Sequence, residues 1–461
     1  MSSHKISFNT AVAIVVANMI GTGVFTSIGF QVIGIQSAFA IVLLWVIGGV
    51  MALCGALVYG EVGAAFPQSG GEYNYLSKLY HPVVGFLSGW VSSTVGFAAP
   101  VALASMALGK YVNSVFSTIN PTMIALVVVL IITSIHATHI KLGAAFQRYA
   151  TYLKIAFVSL FIICGFIFAK PTHIISFLPD SNSFQDVFAN AAFAISLFWV
   201  SYSYSGWNAA AYITGEIENP QKNLPKSLLV GTLLVSVLYV LLNMLFLYST
   251  PVADLKGQIE IGHISATHIF GAQMGNVMSM VISLLLVSSI SAMILAGPRV
   301  ISSIGADVKA LNFFATKNKH HVPYVAVIFQ SVISMVLILT AQFNQVLELI
   351  GFTLTLFTTL TVFGVFILRR RIKKQAARLR HEEADIKHLK FKIQNLKLSS
   401  YKTWGYPVTP ILFLLINGWI LYYGFTSKME SSLYGLLIVL AGLPIYFLGK
   451  DKATLTPTPK S

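Results

Sequence analysis

Three groups of residues in this 461-residue chain have types and spacing that could do chemistry. The first is Ala17-Asn18-Met19-Ile20-Gly21-Thr22-Gly23-Val24-Phe25, where glycines and small polar residues interrupt an apolar run. The second, Trp199-Val200-Ser201-Tyr202-Ser203-Tyr204-Ser205-Gly206-Trp207-Asn208, does the same. A helix that unwinds in such a place leaves peptide groups unpaired in a medium without water. That is tolerated where the backbone lines a cavity or binds a ligand. The half-helix starting after Gly23 offers free N–H groups and the positive end of a dipole, suited to a carboxylate. The half-helices ending near Ile20 and Tyr202 offer free carbonyls, suited to an ammonium. Together they form a receptor for the zwitterionic head of an α-amino acid, whose side chain would project toward Tyr202 and Ser205. Close helix packing is the ordinary explanation of Gly21-Thr22-Gly23 alone. The pairing of two interruptions with an intramembrane lysine favours the binding site.

That lysine is Lys154, in Ala150-Thr151-Tyr152-Leu153-Lys154-Ile155-Ala156-Phe157. It is too deep to snorkel easily, and an ionisable group there marks function by default. It could replace a bound sodium and brace the unwound part of the first run, or it could carry a proton. The ordinary alternative is a lysine reaching the interface from a span that begins near residue 145.

The elements that position these groups follow from composition. The chain is 56% hydrophobic and 10% charged, against about 25% charged in soluble domains. With a mean hydropathy of +0.76 it cannot hide its apolar side chains in one water-soluble core. Soluble single-core, disordered, collagenous and disulfide-scaffold classes are excluded, leaving a polytopic membrane protein. Runs of about 20 apolar residues fall at 8–33, 38–61, 83–111, 122–139, 145–169, 188–215, 226–250, 272–302, 323–341, 345–368, 408–427 and 432–449. The first is not a signal peptide: only His4 and Lys5 flank it, and glycines interrupt it instead of a cleavage site ending it. Cys54 and Cys164 lie in apolar runs with no CxxC neighbour, so no metal or disulfide framework is expected.

The formal net charge of +15 is a topology signal. With the N-terminus inside, 25 of the 30 Lys and Arg residues fall on inner segments, and only Lys110, Lys170, Lys256 and Lys428 on outer ones. Both termini are therefore expected in the cytoplasm of a multi-pass cell-membrane protein. Residues 369–402 carry twelve basic side chains against Glu382, Glu383 and Asp385. This reads as a solvated, topology-setting loop, with contact to anionic lipid headgroups as its functional reading. Nucleic-acid binding has no support, because no stacking aromatics interleave with the charge. The tail from Thr454 to Ser461 reads as disordered.

The two interruptions fall in spans one and six, five spans apart. That is the spacing of two inverted repeats with a site between them at mid-membrane. The halves are not visibly alike in sequence.

The motifs resemble the amino acid–polyamine–organocation superfamily, and most nearly its L-type amino acid transporter-like branch in bacteria. The resemblance rests on Ser205-Gly206-Trp207-Asn208, Thr214-Gly215-Glu216-Ile217-Glu218-Asn219-Pro220 and Asn223-Leu224-Pro225-Lys226. Also similar are Tyr59-Gly60-Glu61-Val62-Gly63, Pro67-Gln68-Ser69-Gly70-Gly71-Glu72-Tyr73, Gly305-Ala306-Asp307 with Val322-Pro323, and Gly405-Tyr406-Pro407-Val408-Thr409-Pro410. The usual Arg before Asp307 is absent.

The resemblance implies an all-α protein of twelve transmembrane helices. Five-plus-five inverted repeats (1–170 and 183–368, with helices 1 and 6 broken) would be followed by the basic loop 369–407, two further helices within 408–450 and the tail 451–461. It implies secondary amino acid transport by alternating access, read here as sodium-independent exchange with uniport as the variant, and no cofactor or metal is expected. By motif, Gly21, Thr22 and Gly23 resemble the carboxylate-binding residues. The carbonyls of Met19, Tyr202 and Ser205 resemble the amine-binding set, with Tyr202 also an aromatic gate and Trp207 and Asn208 close by. Lys154 resembles the lysine that stands in for sodium, and Tyr239 a tyrosine that communicates with it. Family members with a covalent heavy subunit carry a cysteine between spans three and four; Lys110 to Thr122 has none, so no such partner is expected. Ser205 stands where members accepting bulky side chains have glycine, which favours small substrates. Glu61, Glu216 and Glu218 fall at inner helix ends and Glu348 near an outer end, away from both breaks, which favours neutral ones.

A proton- or sodium-coupled symporter is the alternative within transport. A membrane-embedded enzyme would need a catalytic constellation. His136 and His139 lack a nearby acid or nucleophile, and the pairs His263/His268 and His320/His321 lack a metal-site context. A channel would need a filter-like repeat or a ring of charges, and the chain has neither.

Overall fold

The computed structural model describes residues 5–138, 141–171, 176–179, 183, 187, 190–382 and 401–449. Loop residues 383–400, the tail from Lys450 and His139 lie outside these. Span one is two helices, α1 (Phe8–Met19) and α2 (Thr22–Gly34), followed by α3 (Ala38–Ala65). A short α4 (Glu72–Leu79) leads into α5 (Pro82–Val91), a π-helical turn at Ser92–Gly96 and α6 (Ala98–Asn113). Then come α7 (Pro121–Thr138), α8 (Lys141–Phe168) and α9 (Ala191–Tyr204). After a 3-10 stretch at Ala209–Glu216 follow α10 (Pro220–Ser249), α11 (Val252–Leu255), α12 (Ile261–Phe270) and α13 (Ala272–Asp307). The chain closes with α14 (Tyr324–Thr340), α15 (Phe343–Glu382), α16 (Val408–Ser427) and α17 (Met429–Leu448).

Helix starts follow capping chemistry. Ser37 Oγ accepts from the Ala40 amide, and Asn190 Oδ1 from the Ala192 amide at 2.8 Å. Pro82 and Pro220 occupy first-turn positions, where the missing N–H costs nothing.

Among the described residues, ten helices are long and apolar enough to cross a membrane. Two expected spans fall short. The ninth is the shorter apolar helix Tyr324–Thr340, and the sixth, expected to be interrupted, is helical only as far as Tyr204. No described residue lies in a strand; Ile6 and Ile217 form an isolated parallel bridge, held by Ile6 N–H to Glu216 O at 2.7 Å and Glu218 N–H to Ile6 O at 2.9 Å. The segment before span one is thus tied to the segment after the span-six break.

The apolar core runs between α1, α2, α3, α9 and α10, with Trp45, Tyr59, Tyr204 and Tyr239 among its largest fully buried aromatics. The end carrying Lys5, Lys78 and Lys226 is called here the basic end. At the opposite end Phe30 stacks on Phe343 (centroids 5.8 Å apart) and tilts against Trp199 (5.6 Å). There Gly29 lies so close to the α11–α12 region that a Cβ would meet Gln258 O at 2.1 Å.

At the basic end Arg369 forks onto Glu61, Nε to Oε1 at 2.8 Å and Nη2 to Oε2 at 2.7 Å, while its guanidinium stacks 3.6 Å over the Tyr406 ring. The amide of Thr403 donates to the same Glu61 Oε2 at 2.7 Å. Cys54 is buried and Cys164 half-buried, and both are free.

Candidate functional site

α1 stops at Met19 because Ile20 turns out of the helix (φ −72°, ψ 91°), and α2 begins at Thr22 with Gly21 as its cap. The second half-helix therefore starts two residues earlier than expected, and Thr22 and Gly23 both lie in its first turn. α9 runs on through Tyr204 before Ser205 leaves the helix with ψ 149°. The Ser205 amide folds back onto the Tyr202 carbonyl at 2.8 Å, so that carbonyl is already engaged.

The two breaks lie against each other. Thr22 Oγ1 and the Tyr202 hydroxyl are 2.9 Å apart, and Ser27 Oγ and Ser203 Oγ 3.0 Å. Gly23 sits where a Cβ would fall 2.5 Å from Ser203 Cα. Close packing is thus the observed role of this glycine, and it brings the breaks together. Gly206, absent from the expected set, is constrained in both space and conformation. Its φ of 96° suits glycine, and a Cβ would lie 2.7 Å from the carbonyl carbon of Asn18. Gly21 differs: a Cβ there would meet nothing nearer than Met19 O at 3.9 Å.

Lys154 is fully buried on α8, and its Nζ donates to Ile20 O at 3.1 Å and Ser289 Oγ at 2.8 Å. Tyr239 of α10 donates its hydroxyl to the Met19 carbonyl. The last carbonyls of α1 therefore have partners from two other helices. Ser289 gave no signal in sequence, being one of several serines along α13.

A small cavity of about 30 Å³, the room of roughly one water, is lined by Gly21, Thr22, Gly23, Tyr202, Ser205 and Ser289, among others. It adjoins a vestibule of about 780 Å³ that shares Asn18, Pro100, Tyr202, Ser205 and Met293 with it. Toward the basic end the vestibule is lined by Thr10, Gln68, Glu216, Arg299 and Asp307.

Trp207 also borders the vestibule, but its ring packs edge-on against Tyr59 (4.6 Å) and against Phe413 (6.3 Å), which anchors the segment after the break. Asn208 Nδ2 donates to Glu72 Oε1 at 3.0 Å.

The acids need correcting. Glu216 lines the vestibule, and Glu72, not weighed among the acids in sequence, lies at the span-six break. It opens α4 directly after Ser69-Gly70-Gly71 and is only 3% exposed. Its Oε1 accepts from the Tyr59 hydroxyl at 2.7 Å as well as from Asn208, so it is not a free counter-ion for a cationic substrate. Burial pushes the Glu72 carboxyl up to about 7, against hydrogen bonds that favour its charged form.

Glu61 is held by Arg369, and Glu348 pairs with Lys428 Nζ at 2.8 Å at the opposite end. His136 Nε2 bonds Ser291 Oγ at 2.8 Å. Among the described residues no group of three His, Cys, Asp or Glu is placed to hold a metal ion.

The sequence profile of the amino acid permease family matches residues 6–448. The chain is 27% identical over 456 residues to the serine/threonine exchanger SteT of Bacillus subtilis (strain 168), covering 96% of each protein. It is 26% identical over 457 residues to b(0,+)-type amino acid transporter 1 of Mus musculus, covering 96% of this chain and 87% of that one. With large neutral amino acids transporter small subunit 2 of Rattus norvegicus the identity is 24% over 466 residues, covering 96% and 80%.

Proposed function

The chain belongs to the amino acid permease family, and from that premise we propose that it is a sodium-independent secondary transporter of small neutral L-amino acids, working by exchange through alternating access. The observation that carries the reading is the pair of helix breaks held face to face, with Lys154 on the Ile20 carbonyl. A fixed ammonium beside the break supplies the charge that a bound sodium would otherwise bring.

The amino acid head would sit where the small cavity meets the vestibule. Its carboxylate would face the first amides of α2, and its ammonium the remaining lone pairs of the carbonyls at the ends of α1 and α9. Gly21, Thr22 and Gly23 would serve the first contact, Met19, Tyr202 and Ser205 the second, with Trp207 and Asn208 supporting them and Tyr239 linked to Lys154 through the α1 terminus. Ser205 would limit the room for a side chain.

Twelve spans in two inverted repeats of five plus two, with the basic end in the cytoplasm, fit this reading. So does a stand-alone protein without a disulfide-linked heavy subunit, and so do anionic lipids at the basic loop. With the basic end inside, the vestibule faces the cytoplasm, and the aromatic contacts of Phe30, Trp199 and Phe343 close the outer side.

Purified protein in liposomes tests this. Radiolabelled alanine uptake should rise when the lumen is loaded with alanine and should be unchanged when sodium is replaced. Absence of stimulation by internal substrate would refute exchange, and a need for a sodium gradient would refute sodium independence.

A further inference from the structure

Glu72 is a buried carboxylate with no place in the substrate-binding scheme, and its hydrogen bonds join α3 and the short helix α4 to the stretch that follows the span-six break. It opens α4, the short helix between spans two and three, and α4 packs on α5 and α15. One oxygen, Oε1, takes both the Tyr59 hydroxyl from α3 and the Asn208 amide from just beyond the end of α9. Asn208 belongs to the stretch that carries Ser205, Gly206 and Trp207 across the break. The position of that stretch decides where the carbonyls at the end of α9 point.

We propose that Glu72 is a positioning residue for transport: its carboxylate holds Asn208, and with it the unwound part of span six, against α3 and α4, and a proton arriving through the vestibule loosens that hold. The inference rests on the transport reading above and names a pH control within it.

The chemistry is direct. An ionised carboxylate oxygen accepts two hydrogen bonds readily and strongly. Protonation removes that charge, so both bonds accepted at Oε1 weaken, and the new O–H is a donor that must find an acceptor of its own. A route for the proton exists, because Asn208, Tyr212 and Ser92 all line the vestibule.

The groups facing Glu72 come from α3, α4, α5 and the stretch after the break, while α15 reaches it through Thr361 on Tyr59. They are Tyr59 of α3, Tyr75 of α4 itself, Ser88 of α5, and Asn208 and Tyr212 after the break. The nearby cations are engaged elsewhere. Arg369 of α15 holds Glu61, Arg371 caps the Lys78 carbonyl at the far end of α4, and Lys78 Nζ bonds Gln68 Oε1. Glu72 therefore titrates among neutral donors, and burial is the first cause of its shift to about 7.

The test is alanine exchange by the full-length protein in liposomes, with KM and kcat measured from about pH 6 to about pH 8, a unit either side of the carboxyl's own value. For the parent, KM should be several-fold higher at the acid end, with a midpoint near the carboxyl's value of about 7. Glu72→Gln should flatten that step, and Glu72→Asp should keep it. Tyr59→Phe removes a bond that favours the charged form, so it should move the midpoint to higher pH. A purely structural role would lower protein yield or kcat without touching the pH step. A parent without the step, a Glu72→Gln protein that retains it, or an unmoved midpoint in Tyr59→Phe each overturns the proposal. The Tyr59 variant decides the matter if the Glu72 variants fail to fold. Exchange that persists without these effects leaves the transport reading standing, whereas a parent that exchanges nothing refutes both.

Discussion

The ammonium of Lys154 lies 3.1 Å from the carbonyl oxygen of Ile20, so a charge buried on α8 closes the open end of a helix that stops in mid-membrane. The geometry answers two needs at once. Ile20 O has no partner within α1, and a buried carbonyl left bare costs about 1–3 kcal/mol. The ammonium has no carboxylate within the bonds it makes, and the dipole at a helix C-terminus is one of the few other partners for a cation.

Lys154→Ala should therefore leave Ile20 O and Ser289 Oγ without their donor. Exchange should fall roughly tenfold or more, from about 1–3 kcal/mol of lost support at the break. The protein should still purify as a single species, because an uncompensated buried charge goes with the side chain. Alanine counterflow alongside size-exclusion profiles measures both.

The three glycines at the breaks should respond differently to alanine. Gly206→Ala forces a Cβ into the Asn18 carbonyl in a left-handed conformation, and Gly23→Ala into Ser203. Both should lower the apparent Tm, the first more severely. Gly21→Ala meets no atom nearer than 3.9 Å, so its Tm should stay close to the parent's while alanine affinity falls. Equal losses of Tm in all three would show that packing alone accounts for the motif.

Ser205→Gly should widen the substrate range. Removing the hydroxymethyl group from the shared wall of cavity and vestibule should let leucine and phenylalanine compete better against labelled alanine. A shift of roughly tenfold or more is expected, in keeping with the roughly 1–3 kcal/mol that one carbon's worth of room commands. If the parent already accepts leucine and alanine equally, Ser205 does not set size.

Stability should carry its own mark of Glu72. Burial raises its carboxyl from 4.5 to about 7 in the folded protein, so the folded state holds the proton more tightly than the unfolded chain. The contribution is complete below about pH 4.5 and is lost as pH rises through about 7. The parent's Tm should therefore decline over that window relative to Glu72→Gln. The difference grows to roughly 3 kcal/mol at the alkaline end, and thermal scans in detergent across the range would record it.

Spans and breaks were legible because both are written locally. An apolar run of about 20 residues needs no partner to be recognised, and glycine beside small polar residues within it is a contradiction that only a break resolves. Lys154 was legible for the same reason. Glu72 was not, since its partners are Tyr59 on the preceding long helix and Asn208, 136 residues on, and only the packing of the helices brings them to one carboxylate. Ser289 hid among Ser288 and Ser291, and which serine faces Lys154 is settled only by how α13 turns against α8. The π-helical turn at Ser92–Gly96 gave no warning either, because its composition is that of any small-residue stretch in a membrane helix. The division of labour between Gly21 and Gly23 also needed the neighbouring helix.

The Glu61 carboxylate takes Arg369 on one side of the long basic loop and the Thr403 amide on the other. Two stretches far apart in sequence, one in α15 and one just before α16, are thereby moored to α3 by a single carboxylate. Neutralising that one side chain would untie both at once.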